Sequence, residues 1–300
     1  MNVGRSLESE LDDAFPVGGR RSWAWRVRRF LVRNPLNMLG AVLVLLVVVT
    51  ALVGDLVAPY PPLKPSYGNL LAAPSFTHLL GTDQIGRDVL SRVLSGARIS
   101  MSVAAVVLVI GVSLGTLLGL LAGYLGGVVD EVIMRLTDIF LALPALVLAI
   151  AITAVLGASL PNTAFALGAV WWPWYTRLVR GQVLSVREMA FIEAARAIGV
   201  SLPRMLWRHI LPETLAPIIV QMSMDVGYAV LAVSSLSFIG LGAQPPAPEW
   251  GAMISDAQAY VRDGWWTAAF PGLAIALTAM GFNLLGDGLR DALDPRTVER

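Results

Sequence analysis

Residues 100–129 read SMSVAAVVLVIGVSLGTLLGLLAGYLGGVV, thirty consecutive positions without an Asp, Glu, Lys or Arg. A helix in water carries a solvated face, whereas about 20 apolar residues are enough to cross the hydrocarbon core of a bilayer. Charge is missing from four further stretches, 34–54, 139–176, 226–248 and 264–286. Of the 300 residues 56% are hydrophobic and 14% charged, against about 25% charged in a soluble domain. The expected fold class is an all-α membrane protein.

Six transmembrane helices are expected, at about 38–57, 100–124, 139–160, 163–180, 214–240 and 266–286. An even number places both termini on one side. With that side cytoplasmic, inner segments hold 17 of the 22 Lys and Arg residues, from Arg5 to Arg33, at Arg135, from Arg177 to Arg208 and at Arg290, Arg296 and Arg300. The outer segments hold the other five, Lys64, Arg87, Arg92, Arg98 and Arg262. This positive-inside bias makes both termini cytoplasmic. A basic flank before an apolar run also describes a secretory signal peptide, but the first run exceeds the usual ~7 to 15 residues and further spans follow.

The expected organisation is a polar and basic cytoplasmic tail at 1–33, a first span with an outer segment at 34–99, a five-helix core at 100–286 and a cytoplasmic tail at 287–300. The first tail opens with Glu8, Glu10, Asp12 and Asp13, where disorder is expected, and continues with Arg20 to Arg33 interleaved with Trp23, Trp25 and Phe30, which suits a membrane surface. In the second span Gly111, Gly115, Gly119 and Gly123 share one helical face and predict close packing with a neighbouring helix. Pro144, Pro173 and Pro217 are candidate kink sites.

The inner loop between the fourth and fifth spans reads as two short helices. Ser185 and Glu188 have capping-box spacing, which predicts a helix from Val186. Phe191, Ala194, Ala195 and Ile198 recur at helical spacing, and Gly199 is placed to end that helix in the left-handed conformation. Ser201 and Pro203 suit the start of a second helix, expected to stop before Pro212.

Glu193-Ala194-Ala195, Gly199 and Leu211-Pro212 resemble the EAA loop of permease subunits in ATP-binding cassette importers. Where the family consensus has Ile two residues before Leu-Pro, this chain has His209, and Arg208-His209-Ile210-Leu211-Pro212 is similar to the peptide-transporter branch. His78 to Arg92, with Leu80-Gly81-Thr82-Asp83-Gln84-Ile85-Gly86-Arg87-Asp88, resembles the outer segment of dipeptide, oligopeptide and nickel permeases. Leu236 to Gly251 and Asn283 to Arg296 resemble its C-terminal signature, and Arg33-Asn34-Pro35 extends the likeness to roughly residues 30–296. Many relatives have an acidic residue just ahead of Leu236-Ser237-Phe238. Here Ala232-Val233-Ser234-Ser235 stand there, and the likeness carries no charged substrate contact at that place.

The resemblance implies a type I ABC importer permease fold and makes 181–212 the coupling loop that docks a short helix on a separate ATPase. Glu193, Ala194, Ala195, Gly199, Leu211 and Pro212 are its candidate coupling residues. The small alanines permit close approach, and Glu193 offers a carboxylate to a partner. The alternative for the loop is an ordinary amphipathic interfacial helix. Implied partners are a second homologous permease, one or two ATPase subunits, an extracytoplasmic substrate-binding protein and membrane lipid, with no nucleic acid. Implied cargo is a di- or oligopeptide, with nickel as the alternative, and the implied location is the cytoplasmic (inner) membrane.

No phosphate loop of the Gly-x-x-x-x-Gly-Lys-Ser/Thr form occurs, so ATP and Mg are expected in partner subunits and no cofactor or catalytic residue in this chain. His78 and His209 are expected on opposite sides of the membrane, which precludes a shared metal site, and there is no cysteine. Asp225, an intramembrane carboxylate, is a candidate pathway or subunit contact. Thr82, Asp83, Arg87 and Asp88 suit either a binding-protein contact or helix caps, with caps the commoner use. Trp250, Trp265 and Trp266 are expected as interfacial anchors. A secondary transporter would need no ATPase, but a single intramembrane carboxylate and no detectable internal repeat suit it poorly. A membrane enzyme would need a cluster of catalytic side chains at one surface, which this pattern lacks.

Overall fold

A computed structural model describes residues 34–293 of the chain. The acidic patch, the Arg- and Trp-rich stretch and Arg296 lie outside those residues. Among the described residues all regular elements are helical: α1 (Pro35–Val57), α2 (Val89–Leu125), α3 (Gly127–Leu141), α4 (Ala145–Leu156), α5 (Leu160–Val186), α6 (Ala190–Ala197), the single turn α7 (Leu202–Arg204), a π-helical stretch (Met205–Ile210), α8 (Leu211–Phe238), α9 (Trp250–Ala257), a 3-10 turn (Gln258–Tyr260) and α10 (Trp266–Leu293).

Local chemistry sets several of these boundaries. Asn34 caps α1 by accepting from the Leu36 N–H at 3.0 Å, and Pro35 occupies a first-turn position where no amide donor is missed. Asp88 caps α2 in the same way, accepting from Ser91 N at 2.8 Å. The 37 residues of α2 make it about 55 Å long, well beyond a hydrocarbon core of roughly 30 Å, so the helix starts eleven residues before the charge-free stretch and carries Arg92 and Arg98 in its outer turns.

Four helices are long and apolar enough to cross a membrane: α1, α2, the continuous Leu202–Phe238 and α10. A fifth candidate is the pair α3 and α4, bent by 88°. The expected single helix at 139–160 is therefore broken. Pro144 lacks an amide donor and its ring disfavours helical geometry at Leu143, so α3 ends at Leu141 and a new axis starts at Ala145. The expected fourth span falls within α5, whose 27 residues include Trp171, Trp172, Trp174 and Arg177, and which turns Val170, Tyr175, Val179 and Val183 into the protein interior. Pro173 and Pro217 lie inside α5 and α8 without ending either helix.

The core is centred on α2 against α5, the most extensive helix pair. Each residue of the glycine stripe meets this partner. A methyl group at Gly115 would lie 2.5 Å from both the Trp172 carbonyl oxygen and the Tyr175 Cβ, and one at Gly119 would lie 2.7 Å from the Val179 Cβ. The stripe brings two backbones into direct contact, as its spacing predicts. α10 packs between α1 and α8, and α9 lies across the C-terminal end of α8 and against α10.

Candidate functional site

The candidate coupling residues 193–199 form one compact unit. α5 runs through Ser185 to Val186, where Ser185 Oγ donates back to the Gly181 carbonyl, so the expected capping box does not form. Val183 and Val186 are buried, and this tertiary packing extends α5 past the local start signal. The next helix begins at Ala190 with Met189 as its cap residue.

α6 ends as expected at Gly199, which has φ +75°. Val200 N donates to Ala195 O at 3.1 Å and Gly199 N to Arg196 O at 3.0 Å, the paired bonds of a Schellman turn. Ile192 and Ala195 are buried, and with Met205, Leu206 and Ile210 they join the core that contains Val183 and Val186. Glu193 and Ala194 stand exposed on the opposite side, flanked by Phe191 and by Ile198, which is 82% exposed. Met189, Phe191 and Ile198 are all exposed, which leaves several large apolar side chains around this surface. Among the candidate alanines the structure thus separates Ala194, available for contact, from Ala195, which anchors the helix.

Two further contacts fix this unit to the end of α2. Arg187 Nη1 donates to the Gly123 carbonyl at 3.0 Å, and the Arg196 guanidinium lies 5.7 Å from the centre of the Tyr124 ring. Leu211 and Pro212 lie elsewhere, at the start of α8. The second loop helix does not stop before Pro212. It passes through the π-helical stretch into α8, and Pro212, which lacks an amide donor, lies just after that stretch, where the hydrogen-bond ladder already departs from α spacing. The second loop helix is therefore continuous with α8.

Halfway along α8, Asp225 faces α5. Its Oδ2 accepts from Tyr175 Oη at 2.7 Å and from Trp171 Nε1 at 3.3 Å, and its Oδ1 accepts from Gln221 Nε2 at 2.9 Å. It lines a cavity of about 550 Å³ between α4, α5 and α8, together with Trp171, Trp174, Arg177, Gln221 and Tyr228. Only Gln221, one helical turn away, could have been read from sequence as an Asp225 partner. Toward the C-terminal end of α5, Arg177 Nη2 reaches Asp138 Oδ1 at 2.6 Å, and Arg180 grips Asp130 through two bonds of 2.5 and 2.6 Å.

The polar residues of the segment before α2 make internal contacts. Asp83 accepts from Arg87 Nε at 2.5 Å and lies 3.6 Å from Arg92 Nε, while Arg87 also approaches Asp256 at 3.8 Å. Burial raises the Asp256 carboxyl above its ordinary pKa, opposed by Arg92 and Arg87. Asp88 is the cap of α2 and pairs with His78 at 2.9 Å, so of these four residues the cap reading holds for Asp88, while Thr82, Asp83 and Arg87 bond within the preceding loop. Trp250 and Trp266 are not interfacial anchors: both are buried, and their indole N–H groups donate to the carbonyls of Val93 and Thr82 at 3.0 Å. Each indole bridges segments far apart in sequence, which is a packing role. Trp265 alone of the three is exposed.

Glu249 was not a candidate in sequence, yet it is fully buried and caps α9 through Ala252 N at 2.9 Å. Its Oε1 accepts from Ser100 on α2 and Ser234 on α8 at 3.2 and 3.1 Å. The stretch lacking an acidic residue ahead of Leu236 therefore receives a carboxylate from the following loop.

Residues 115–299 match the family described as binding-protein-dependent transport system inner membrane component, and residues 22–74 match the N-terminal TM domain of oligopeptide transport permease C. The chain is 48% identical over 273 residues to the dipeptide transport system permease protein DppC of Escherichia coli (strain K12), covering 89% of this chain and 91% of that protein. It is 48% identical over 278 residues to the glutathione transport system permease protein GsiD of Shigella flexneri serotype 5b (strain 8401), covering 92% and 91%. A third relative, the probable D,D-dipeptide transport system permease protein DdpC of Escherichia coli (strain K12), is 46% identical over 263 residues, covering 88% of each.

Proposed function

The chain belongs to the family of binding-protein-dependent transport system inner membrane components, and from that premise we propose that it is a peptide-conducting subunit of an ATP-driven importer, coupled to its ATPase through α6. The relatives are named for dipeptide and glutathione transport, which supports a short peptide as cargo. ATP and Mg belong to partner subunits, a second permease completes the pathway, and an extracytoplasmic binding protein delivers the peptide. Both termini are cytoplasmic and α5 supplies the remaining crossing, a reading supported by the positive-inside distribution of Lys and Arg.

The observation that carries the coupling role is the division of α6 into a buried face, Ile192 and Ala195, and an exposed face, Glu193 and Ala194, locked by the turn at Gly199. A rigid, small-residue surface continuous with α8 can pass an ATPase movement to the spans without being absorbed by a soft loop. Leu211 and Pro212 mark where that movement enters α8.

The test is affinity purification of the assembled complex carrying Glu193→Arg, which places a cation on the exposed docking face. Reduced ATPase recovery with an intact permease pair is the expected result. Undiminished recovery and wild-type peptide-stimulated hydrolysis would remove Glu193 and the exposed α6 face from the contact.

A further inference from the structure

We propose that the cavity around Asp225 is a docking site for the primary ammonium group of the transported peptide, a reading that rests on the permease function above and adds a ligand contact to it. Asp225 stands near the midpoint of the 28-residue α8, and a carboxylate within an apolar, membrane-capable helix is by default a functional candidate. All three of its hydrogen-bond partners, Tyr175, Trp171 and Gln221, are neutral donors. They hold the carboxylate in place without cancelling its charge. Among the described residues no Arg, Lys or His nitrogen forms an ion pair with it; the nearby Arg177 of the cavity wall is paired with Asp138. The site therefore offers negative charge that a cationic group can neutralise.

The walls suit an organic cation. Trp171 and Tyr228 meet edge to face at 5.2 Å, and Trp174 and Tyr228 form an exposed rim. Aromatic faces attract ammonium groups, and the attraction strengthens where water is scarce. A volume of about 550 Å³ falls within the range of small-molecule sites, roughly 300 to 1,000 Å³, and suits a short peptide end. A metal cation fits less well, because among the described residues no group of three or more His, Cys, Asp or Glu side chains converges. A mobile peptide also requires a contact that can be released, and one carboxylate with aromatic walls provides attraction without a closed cage.

The chain has no cysteine, so Ala145→Cys, on the cavity wall away from Asp225 and the aromatic side chains, gives a single reactive thiol. The experiment uses the complete importer in nanodiscs, without binding protein and with accessible partner cysteines removed, and measures thiol modification rates in the presence of dialanine or N-acetyl-dialanine. Dialanine is expected to slow modification about tenfold, the acetylated peptide to leave it unchanged, and Asp225→Asn to abolish the protection, while Asp225→Glu retains part of it. Equal protection by both peptides, or full protection in Asp225→Asn, would overturn ammonium recognition. A thiol that reacts in the lone chain but not in the complex would make this face a permease–permease interface and would equally overturn the proposal. Failure of the permease reading itself would appear separately, as a wild-type complex whose ATPase ignores peptide-loaded binding protein.

Discussion

The amide of Val200 donates to the carbonyl of Ala195 across Gly199, so the exit direction of α6 is set by a backbone bond that exists only while residue 199 stays left-handed. A methyl group at Gly199 would meet nothing within 4 Å, which makes the constraint one of backbone conformation and not of space. Gly199→Val is expected to remove peptide uptake, because a β-branched residue at positive φ costs well over ~1 kcal/mol and redirects the chain. Helix content and membrane insertion should persist, and Gly199→Asn, which tolerates this conformation, should retain much of the uptake. Transport assays alongside circular dichroism separate these outcomes; normal uptake by the valine variant would remove the turn from the mechanism.

Gly115 and Gly181 give a paired prediction about packing. Gly115→Val drives side-chain atoms into the Trp172 carbonyl and Tyr175, so either α2 and α5 separate or the chain misfolds. Overpacking commonly costs ~1 to 3 kcal/mol, and more where backbone is the obstacle. Gly181 has open space at its Cβ within α5, and Gly181→Ala should instead stabilise the lone chain by ~0.5 to 1 kcal/mol. Thermal unfolding in detergent should move in opposite directions for the two variants.

Arg180 and Asp130 join α5 to α3 through a two-pronged contact. Arg180→Lys keeps the charge and loses the fork, so it should destabilise this junction by about 1 kcal/mol, reduced by the partial exposure of both side chains. Arg180→Lys and Asp130→Asn should not add, since either removes the same geometry. Melting of the double variant tests this: a fully additive loss would show that the two residues act apart.

The sequence made the apolar runs of α1, α2, α8 and α10 legible because bilayer burial excludes charge over a whole helix. It did not show that α2 begins at Val89, since the charges in its N-terminal turns find partners outside the helix, Arg92 at Asp83 and Arg98 at Asp55. The Gly199 turn was legible because its signal is local. Ser185 and Glu188 carried an equally local signal that lost to the burial of Val183 and Val186. Pro144 was read as a kink but breaks its helix, whereas Pro212, read as a stop, lies within a helix that runs on through the π-helical stretch. Asp225 stood out as an ion in an apolar run, yet its Trp171 and Tyr175 partners belong to another helix and leave no trace in spacing.

Glu249 supplies the sharpest test of the outer packing, because its two oxygens have different tasks. One accepts from the hydroxyls of Ser100 and Ser234 and the other from the amide of Ala252, and Ser100 Oγ in turn accepts from Trp250 N at 3.3 Å. Glu249→Ala strands those buried donors and opens a cavity where α2, α8 and α9 meet, for an expected loss of ~3 kcal/mol or more. Glu249→Gln can turn its amide oxygen toward Ala252 and its NH2 toward the serines, whose hydroxyls can rotate to accept, so a loss below ~1 kcal/mol is expected. Ser100→Ala in the glutamine background should then cost more than either change alone, because one amide hydrogen loses its acceptor while Trp250 N loses its partner. If alanine and glutamine at 249 melt together, the carboxylate's charge outweighs its hydrogen-bond geometry, and the junction is electrostatic in origin.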